Sequence, residues 1–431
     1  VWLGRASGSR ATNLDPFFLA DDQIKHLFLS QCAGADIGLI EGNRGLFDGK
    51  DTDGSCSTAS LARTLASPVL LILNCTKMTR TAAAVVQGCS MFESDLTLAG
   101  VILNRTAGQR HRRILRQCIE AYTDIPVLGE LPKMDDAFIP ERHMGLISDR
   151  EFEAEQAIDE CARVVSEWAD ASAIFKAAEA APGLEPGDAD PWQSIVPALN
   201  DASSVRIGVV RDASLWFYYP ENLQALERAG AHIVEVSLLD AEPWPEIHGL
   251  YLGGGFPETQ AQELAANEDI RRQIFCLADK GLPIYAECGG LMYLCDTLVT
   301  HGSDVAYPMV GIFPLRSHLC RKPQGHGYTQ TRVQARNPFH PIGLEFTGHE
   351  FHYSSCDLIA ESRVSTCLDM LRGTGLGEKR DGLIYKNTFA CYTHLHALSV
   401  PGWAGNFVRA AQAFKEAQDS GLSECPPLQA V

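Results

Sequence analysis

The 431-residue sequence has no apolar run approaching the roughly 20 residues that a membrane-crossing helix needs. A spanning helix is therefore not expected. The opening VWLGRASGSR lacks the long apolar core of a secretory leader. Basic residues are in deficit, with 36 Lys and Arg against 54 Asp and Glu and a formal net charge of -18. That argues against general nucleic-acid binding, which needs a basic face. It does not exclude small acidic substrates, because a local basic cleft can sit on an acidic protein. None of the 14 cysteines falls in a Cys-x-x-Cys pair, and most lie inside apolar segments, as Cys75, Cys276 and Cys295 do. Mostly buried free thiols in a reducing cytoplasm are expected, not a disulfide framework or a zinc site. There is no internal repeat, and low complexity is confined to one Ala/Pro/Gly/Asp-rich stretch.

What is present describes an ordinary globular chain, 45% apolar and 21% charged. Its length exceeds one compact core and predicts two domains of roughly 200 residues each. In the first half, DIGLIE (36–41), VLLILN (69–74) and LAGVILN (98–104) have the continuous apolar character of strands buried on both faces. Helical patterns separate them at 80–92 and 110–122, and IPVLGELP (125–132) is another short strand-like run. Alternating strands and helices predict a parallel sheet with right-handed crossovers. After a helix near 150–178, AAPGLEPGDADPW marks a linker at 179–204. The second half restarts with a strand at 206–210, a helix at 220–230 ending at a glycine, and a strand at 232–239. The expected architecture is two α/β domains in series, 1–178 and 205–431.

Chemistry concentrates in PIYAECGGLMYL (283–294). An apolar strand ends at Glu287, and a helix is expected to start at Gly289. A cysteine on that junction stands above a sheet edge, where unpaired N–H groups favour a thiolate. Gly289 and Gly290 allow a substrate carbonyl to approach. Taken alone, such a cysteine is more often a packed strand end, since free Cys is commonly buried. Upstream, YLGGGFPE (251–258) ends another strand in a glycine-rich turn, whose amides could form an oxyanion hole with the Gly289 N–H. A nucleophilic thiol also needs a base, usually His. Of 13 histidines, two clusters stand out, GHEFHYS (348–354) and YTHLHAL (392–398). An extended THLH would put His394 and His396 on one face, so spacing does not choose between them.

These words, with RDASLWFYYPENLQALERAGA and YLGGGFPETQAQELAAN, resemble the glutamine amidotransferase domain of the cobyrinate a,c-diamide synthase family in order and spacing. NLDPFFL, IEGNRGLFDG, TRTAAAVVQG, GVILNR, PVLGELP and ERHMGLI resemble the same family's ATP-dependent amidoligase domain. Together they cover nearly the whole chain. The resemblance implies a P-loop-NTPase-like, dethiobiotin-synthetase-like parallel-sheet domain, then a class I glutamine amidotransferase-like, flavodoxin-like α/β domain. It implies Cys288 as glutaminase nucleophile and His394 as the histidine that raises its nucleophilicity, a Cys-His arrangement more than a full triad. His352 takes a positioning role, and Gly254, Gly255 and Gly289 bind glutamine and its oxyanion.

For the first domain the resemblance implies ATP and Mg²⁺. Glu41 and Asp48, following the DIGLI run, are candidates for substrate and metal positioning, Glu41 for the metal itself. Asn104 and Arg105, ending the next strand, are candidates for the adenine side. Expected partners are L-glutamine, ATP and a cobyrinate-type corrinoid, with no nucleic acid and no membrane; a homodimer is among the assemblies allowed.

One family feature is absent: no glycine-rich P-loop ending in Lys-Thr or Lys-Ser occurs. The resemblance places that loop, its strand and an acidic word before Val1, either by truncation or by true loss. The chain as it begins is therefore expected to hydrolyse glutamine poorly or uncoupled and not to amidate. Two other readings are carried: diamidation of another tetrapyrrole, hydrogenobyrinate or nickel-sirohydrochlorin, and a glutaminase joined to a non-catalytic nucleotide-fold domain.

Overall fold

The computed structural model describes residues 2–134, 154–185, 190–192, 205–240, 242–359, 364–400 and 402–421. Two compact units emerge, Val1–Ala189 and Asp190–Val431, the division falling inside the Ala/Pro/Gly/Asp-rich stretch. The ERHMGLI word at 141–147 lies outside the described residues. Among them, no helix is long and apolar enough to cross a membrane.

The first unit begins with helices α1 (Trp2–Ser7), α2 (Asp21–Gln31) and α3 (Thr58–Thr64). A parallel sheet follows, made of β1 (Val69–Asn74), β2 (Leu98–Thr106) and β3 (Val127–Pro132), in that spatial order. Crossover helices α4 (Arg80–Phe92) and α5 (Gln109–Tyr122) connect the strands, and α6 (Ala154–Trp168) and α7 (Ala171–Glu179) come after. In α5 the apolar positions four apart, Leu115 and Ile119, are fully buried. They pack with Ala82, Ala83 and Val86 of α4 and with Val101 and Leu103 of β2. Burying each large side chain is worth about 1.5–3 kcal/mol.

Two strand expectations need correction. Residues 36–41 form no strand, and Leu39 is 85% exposed. β1 is only half-buried, with Ile72 64% exposed. An apolar run becomes a doubly buried strand only with neighbours on both edges and layers on both faces. Among the described residues β1 pairs with β2 alone, and 36–41 with no strand. Glu41 and Asp48 thus sit on a loop and not at the end of a strand.

The second unit is dominated by a ten-stranded mixed sheet. Its parallel part comprises β4 (Val205–Val210), β6 (Ala231–Val236), β7 (Gly249–Leu252), β9 (Ile284–Glu287) and β18 (Thr388–Cys391). Their spatial order is β6-β4-β7-β9-β18, which is 2-1-3-4-5 in chain order, the flavodoxin-like arrangement. Helices α8 (Pro220–Arg228), α9 (Ala261–Ala266), α10 (Glu268–Asp279) and α11 (Gly289–Leu294) belong to this part, with β5 (Leu215–Phe217) and β8 (Gly254–Gly255) as a small ribbon.

Between the fourth and fifth parallel strands the chain inserts a long, mostly antiparallel excursion. β10 (Cys295–Val299), β11 (Ala306–Pro308), β12 (Phe313–Leu319) and β15 (Ser354–Leu358) form a separate four-stranded sheet, where β10 and β12 make the excursion's only parallel pair among the described residues. β13 (Gly325–Val333), β14 (Glu345–His352), β16 (Ser365–Arg372) and β17 (Arg380–Tyr385) extend the main sheet, which ends at β19 (His394–Leu395). The closing helix α12 (Trp403–Asp419) buries Trp403, Phe407 and Phe414. It lies so close to β7 that a Cβ at Gly249 would stand 2.9 Å from the Phe407 ring.

Candidate active site

β9 is buried at every position, and Cys288 follows it directly. Its backbone has φ 46° and ψ -97°, a left-handed conformation that a non-glycine residue holds only at a cost of about 1–3 kcal/mol. The Cys288 N–H donates to Cys391 O at 2.8 Å, and Met292 N donates back to Cys288 O at 3.0 Å. The strand is thereby clamped to β18 on one side of the cysteine, and α11 is launched on the other. Such strain persists only where the surroundings over-determine it, and here it sets the thiol at the junction.

The glycine-rich turn after β7 lies against that junction. A Cβ on Gly289 would stand 3.0 Å from Gly255 N, and one on Gly290 would stand 2.5 Å from Leu252 O. Gly290 N donates to Gly253 O at 3.0 Å. Only glycines permit this approach, so two separate words, GGGF and CGG, are fused into one surface. The Gly289 N–H also lies at the Cys288 thiol and favours its ionisation. The opposing effects are larger: burial foremost, then the charges of Glu258 and Glu287, push the thiol well above its ordinary range. The resting group is a protonated thiol.

His394 reaches the same place from β19. A Cβ on Gly254 would stand 2.7 Å from His394 Cε1. Phe217 of β5 covers the ring edge-on at 5.3 Å, and His349 stacks on it at 4.9 Å. His349 Nδ1 is 3.0 Å from the Tyr219 hydroxyl. His394 Nδ1 lies 3.1 Å from Glu287 Oε2. Burial, then the neighbouring His352, lowers His394 to about 3, so its imidazole is neutral at working pH. His396 is separated from this group although it is only two residues on. It caps a short 3₁₀ turn at 397–399, its Nδ1 accepts from Leu398 N, and its Nε2 lies 3.6 Å from Glu221.

Cys288, Gly289, Gly254, Gly255 and His394 therefore come together. His352 touches this group indirectly. Its ring lies flat on Tyr392 at 3.7 Å, its Nδ1 lies 2.8 Å from Ser354 O, and its Nε2 lies 3.7 Å from Glu350. It braces the segment leading to His394, whereas His349 is the ring stacked on it. Glu287, Phe217 and His349 were missed by the sequence reading. Glu287 was visible as the polar end of an apolar strand, and His349 stood in the GHEFHYS cluster without being chosen; nothing local marked Phe217.

In the first unit, Asn104 stands two residues before the end of β2, in register with Asn74, the last residue of β1, near the C-terminal edge of the parallel sheet. Asn104 Oδ1 accepts from Arg105 N, and Asn74 Oδ1 accepts from Thr76 N and its hydroxyl. Arg105 has φ 57°. His111 binds the two loops together: its Nδ1 accepts from Ala107 N at 3.0 Å, and its Nε2 donates to Met78 O at 2.6 Å. Glu41 is exposed, and Asp48 Oδ2 accepts from Gly45 N at 3.2 Å. Among the described residues, no group of three or more His, Cys, Asp or Glu could hold a metal ion.

Comparison with known proteins follows the same division. Residues 206–401 match the CobB/CobQ-like glutamine amidotransferase domain, and residues 11–138 match an AAA domain. The chain is similar to the cobyrinate a,c-diamide synthase of Magnetococcus marinus, 37% identical over 94% of this chain and 86% of that protein. It is likewise similar to the cobyrinate a,c-diamide synthases of Archaeoglobus fulgidus and Methanobrevibacter smithii, each 36% identical. The first match covers 95% of this chain, the second 94%, and each covers 88% of the relative.

Proposed function

This chain belongs to the cobyrinate a,c-diamide synthase family, and on that premise we propose how its residues divide the work. The enzyme is a glutamine-dependent ligase of cobalamin biosynthesis that converts carboxylates of cobyrinate into amides. One observation carries the assignment of the ammonia-releasing half: the strained Cys288 between β9 and α11, with Gly255 against Gly289 and His394 against Gly254.

In this reading the Cys288 sulfur bonds to the side-chain carboxamide carbon of glutamine while its proton passes to neutral His394. The Gly255 and Gly289 amides donate to the oxygen that becomes negative, where a single such donor is worth about 3–4 kcal/mol. The intermediate collapses, the C–N bond breaks, and the nitrogen leaves as ammonia with the proton from His394. Water then hydrolyses the thioester to glutamate and restores the thiol.

The released ammonia is used by the ligase half. A carboxylate does not accept ammonia directly, because hydroxide is a poor leaving group. Transfer of the ATP γ-phosphoryl group gives an acyl phosphate; ammonia attacks its carbonyl carbon, and phosphate departs. The AAA-domain match and the parallel sheet support a nucleotide in the first unit. Asn74 and Asn104, side by side near the strand ends, suit a planar hydrogen-bonding base, since ligands favour that edge of a parallel sheet. Glu41, exposed on its loop, and Asp48, whose Oδ2 accepts from Gly45 N, would be the carboxylates to hold the Mg²⁺ that accompanies ATP, an ion that takes one or two carboxylates with phosphate and water and would neutralise charge on the transferring phosphoryl group.

The full-length enzyme, given ATP and glutamine, should convert two carboxyl groups of cobyrinate to carboxamides, read by mass. Hydrogenobyrinate and nickel-sirohydrochlorin are run beside it. Conversion of none of the three would overturn the assignment. A second expectation tests the close approach at the turn. Gly254→Ala inserts a methyl group 2.7 Å from His394 Cε1. Displacing the ring should lower kcat for glutamine hydrolysis by about 10²-fold. Wild-type kcat with an unchanged melting temperature would mean that the ring position is not critical.

A further inference from the structure

We propose that Glu287, the residue immediately before the nucleophile, is the positioning acid of His394, holding the imidazole by Nδ1 so that Nε2 is left to accept a proton. The inference rests on reading Cys288 and His394 as the glutaminase pair. Glu287 Oε2 lies 3.1 Å from His394 Nδ1, and Oε1 accepts from Leu395 N at 3.4 Å. Both side chains are almost wholly buried. The sheet produces this pairing. Glu287 faces Cys391 across the parallel β9–β18 ladder, and three residues beyond Cys391 the chain has turned His394 back over the end of β9. The Tyr251 hydroxyl also engages Glu287, and Asn222 Nδ2 donates to that hydroxyl at 3.1 Å. A chain of groups runs from α8 through β7 and β9 to the histidine.

No acid on the strand of His394 could do this. The next residue on the same face of an extended strand is His396, and it is turned toward Glu221. A buried carboxyl group is costly unless it is paired. Here its close partners are the backbone of the histidine segment, the histidine and one tyrosine.

Protonation decides which nitrogen of His394 can act. Burial lifts Glu287 to about 8, with the Leu395 N–H and the Tyr251 hydroxyl opposing it, while burial holds His394 near 3. Below the Glu287 value its carboxyl group donates to Nδ1, the ring proton sits on Nε2, and the thiol has no acceptor. Above it, the carboxylate accepts from Nδ1–H and the Nε2 lone pair is exposed. The other titratable groups around the pair are Tyr218, Tyr251, Tyr285, Cys288, Cys391, His349 and His352, with Glu258 acting on Cys288 and Glu350 beside His349 and His352. Burial raises the tyrosines and cysteines and lowers His349, so the tyrosines, the cysteines and His349 stay neutral through the range in which Glu287 ionises.

The test is the pH profile of glutamine hydrolysis by the full chain. Wild-type kcat/KM should rise through an inflection near 8. Glu287→Gln should lower kcat on the order of 10²- to 10⁴-fold with the KM for glutamine unchanged, and the inflection should vanish, since a carboxamide does not titrate. Tyr251→Phe, which removes an opposing donor and keeps the acid, should move the inflection to higher pH. Wild-type kcat in Glu287→Gln, or an inflection unmoved in both variants, would overturn the proposal. Alkylation of wild-type Cys288 by a diazo-ketone analogue of glutamine separates the two levels. No alkylation defeats the glutaminase reading itself; alkylation with an unaffected Glu287→Gln defeats only the role of Glu287.

Discussion

Replacing Cys288 with alanine should abolish glutamine-dependent amidation by the full-length enzyme and leave amidation supported by added ammonium intact. Without the sulfur no thioester forms, and water alone must attack an unactivated carboxamide. A loss of about 10⁴-fold or more in glutamate release is expected, in line with removal of other covalent nucleophiles. The acyl phosphate is consumed by ammonia whatever its source, so the ligase step does not need the thiol. The fold should survive as well. Alanine keeps the Cβ and the same backbone strain at φ 46°, and one buried sulfur is worth about 1 kcal/mol. Glutamate release, ammonium-supported amidation and a melting curve make the three readings. Loss of both activities in a folded variant would mean that the two reactions share one site.

His394→Asn and His396→Asn should separate cleanly. The two histidines are two residues apart and almost equally buried, yet they serve different neighbours. His394 lies against Gly254 and Glu287, so its loss removes the acceptor for the thiol proton. The fall in kcat should be about 10²- to 10⁴-fold, the usual contribution of a positioned base. His396 accepts from Leu398 N, packs edge-on against Tyr219 and sits 3.6 Å from Glu221. Its replacement weakens a buried polar cluster by about 1–3 kcal/mol. A lower melting temperature with kcat retained is therefore expected. If kcat at saturating glutamine collapses only in His396→Asn, the base is His396 and the present reading is wrong.

Much of the second unit is legible in local patterns because each strand there is a short apolar run bounded by turn residues. RIGVV, the strand ending at Glu287 and the helix beginning at PEN appear as β4, β9 and α8 within a residue or two. The junction at Cys288 was equally legible, since an apolar strand running into Cys-Gly-Gly has few other ways to continue. The same logic failed at DIGLIE, because burial of a strand belongs to its neighbours and not to its own residues. It failed again for the orienting acid. Glu287 and His394 are 107 residues apart, and only the β9–β18 pairing makes them neighbours.

By itself, then, the sequence determined the α/β class, the two-part chain and the identity of a cysteine at a strand-to-helix turn, because these follow from periodicity and local turn chemistry. The tertiary structure alone placed His394 beside Gly254 and Glu287 while turning His396 toward Glu221, and brought Gly255 against Gly289. Those placements depend on strand order and on a long, mostly antiparallel excursion that returns the chain to the end of β9, where approaches of about 3 Å are set by packing and not by spacing along the chain.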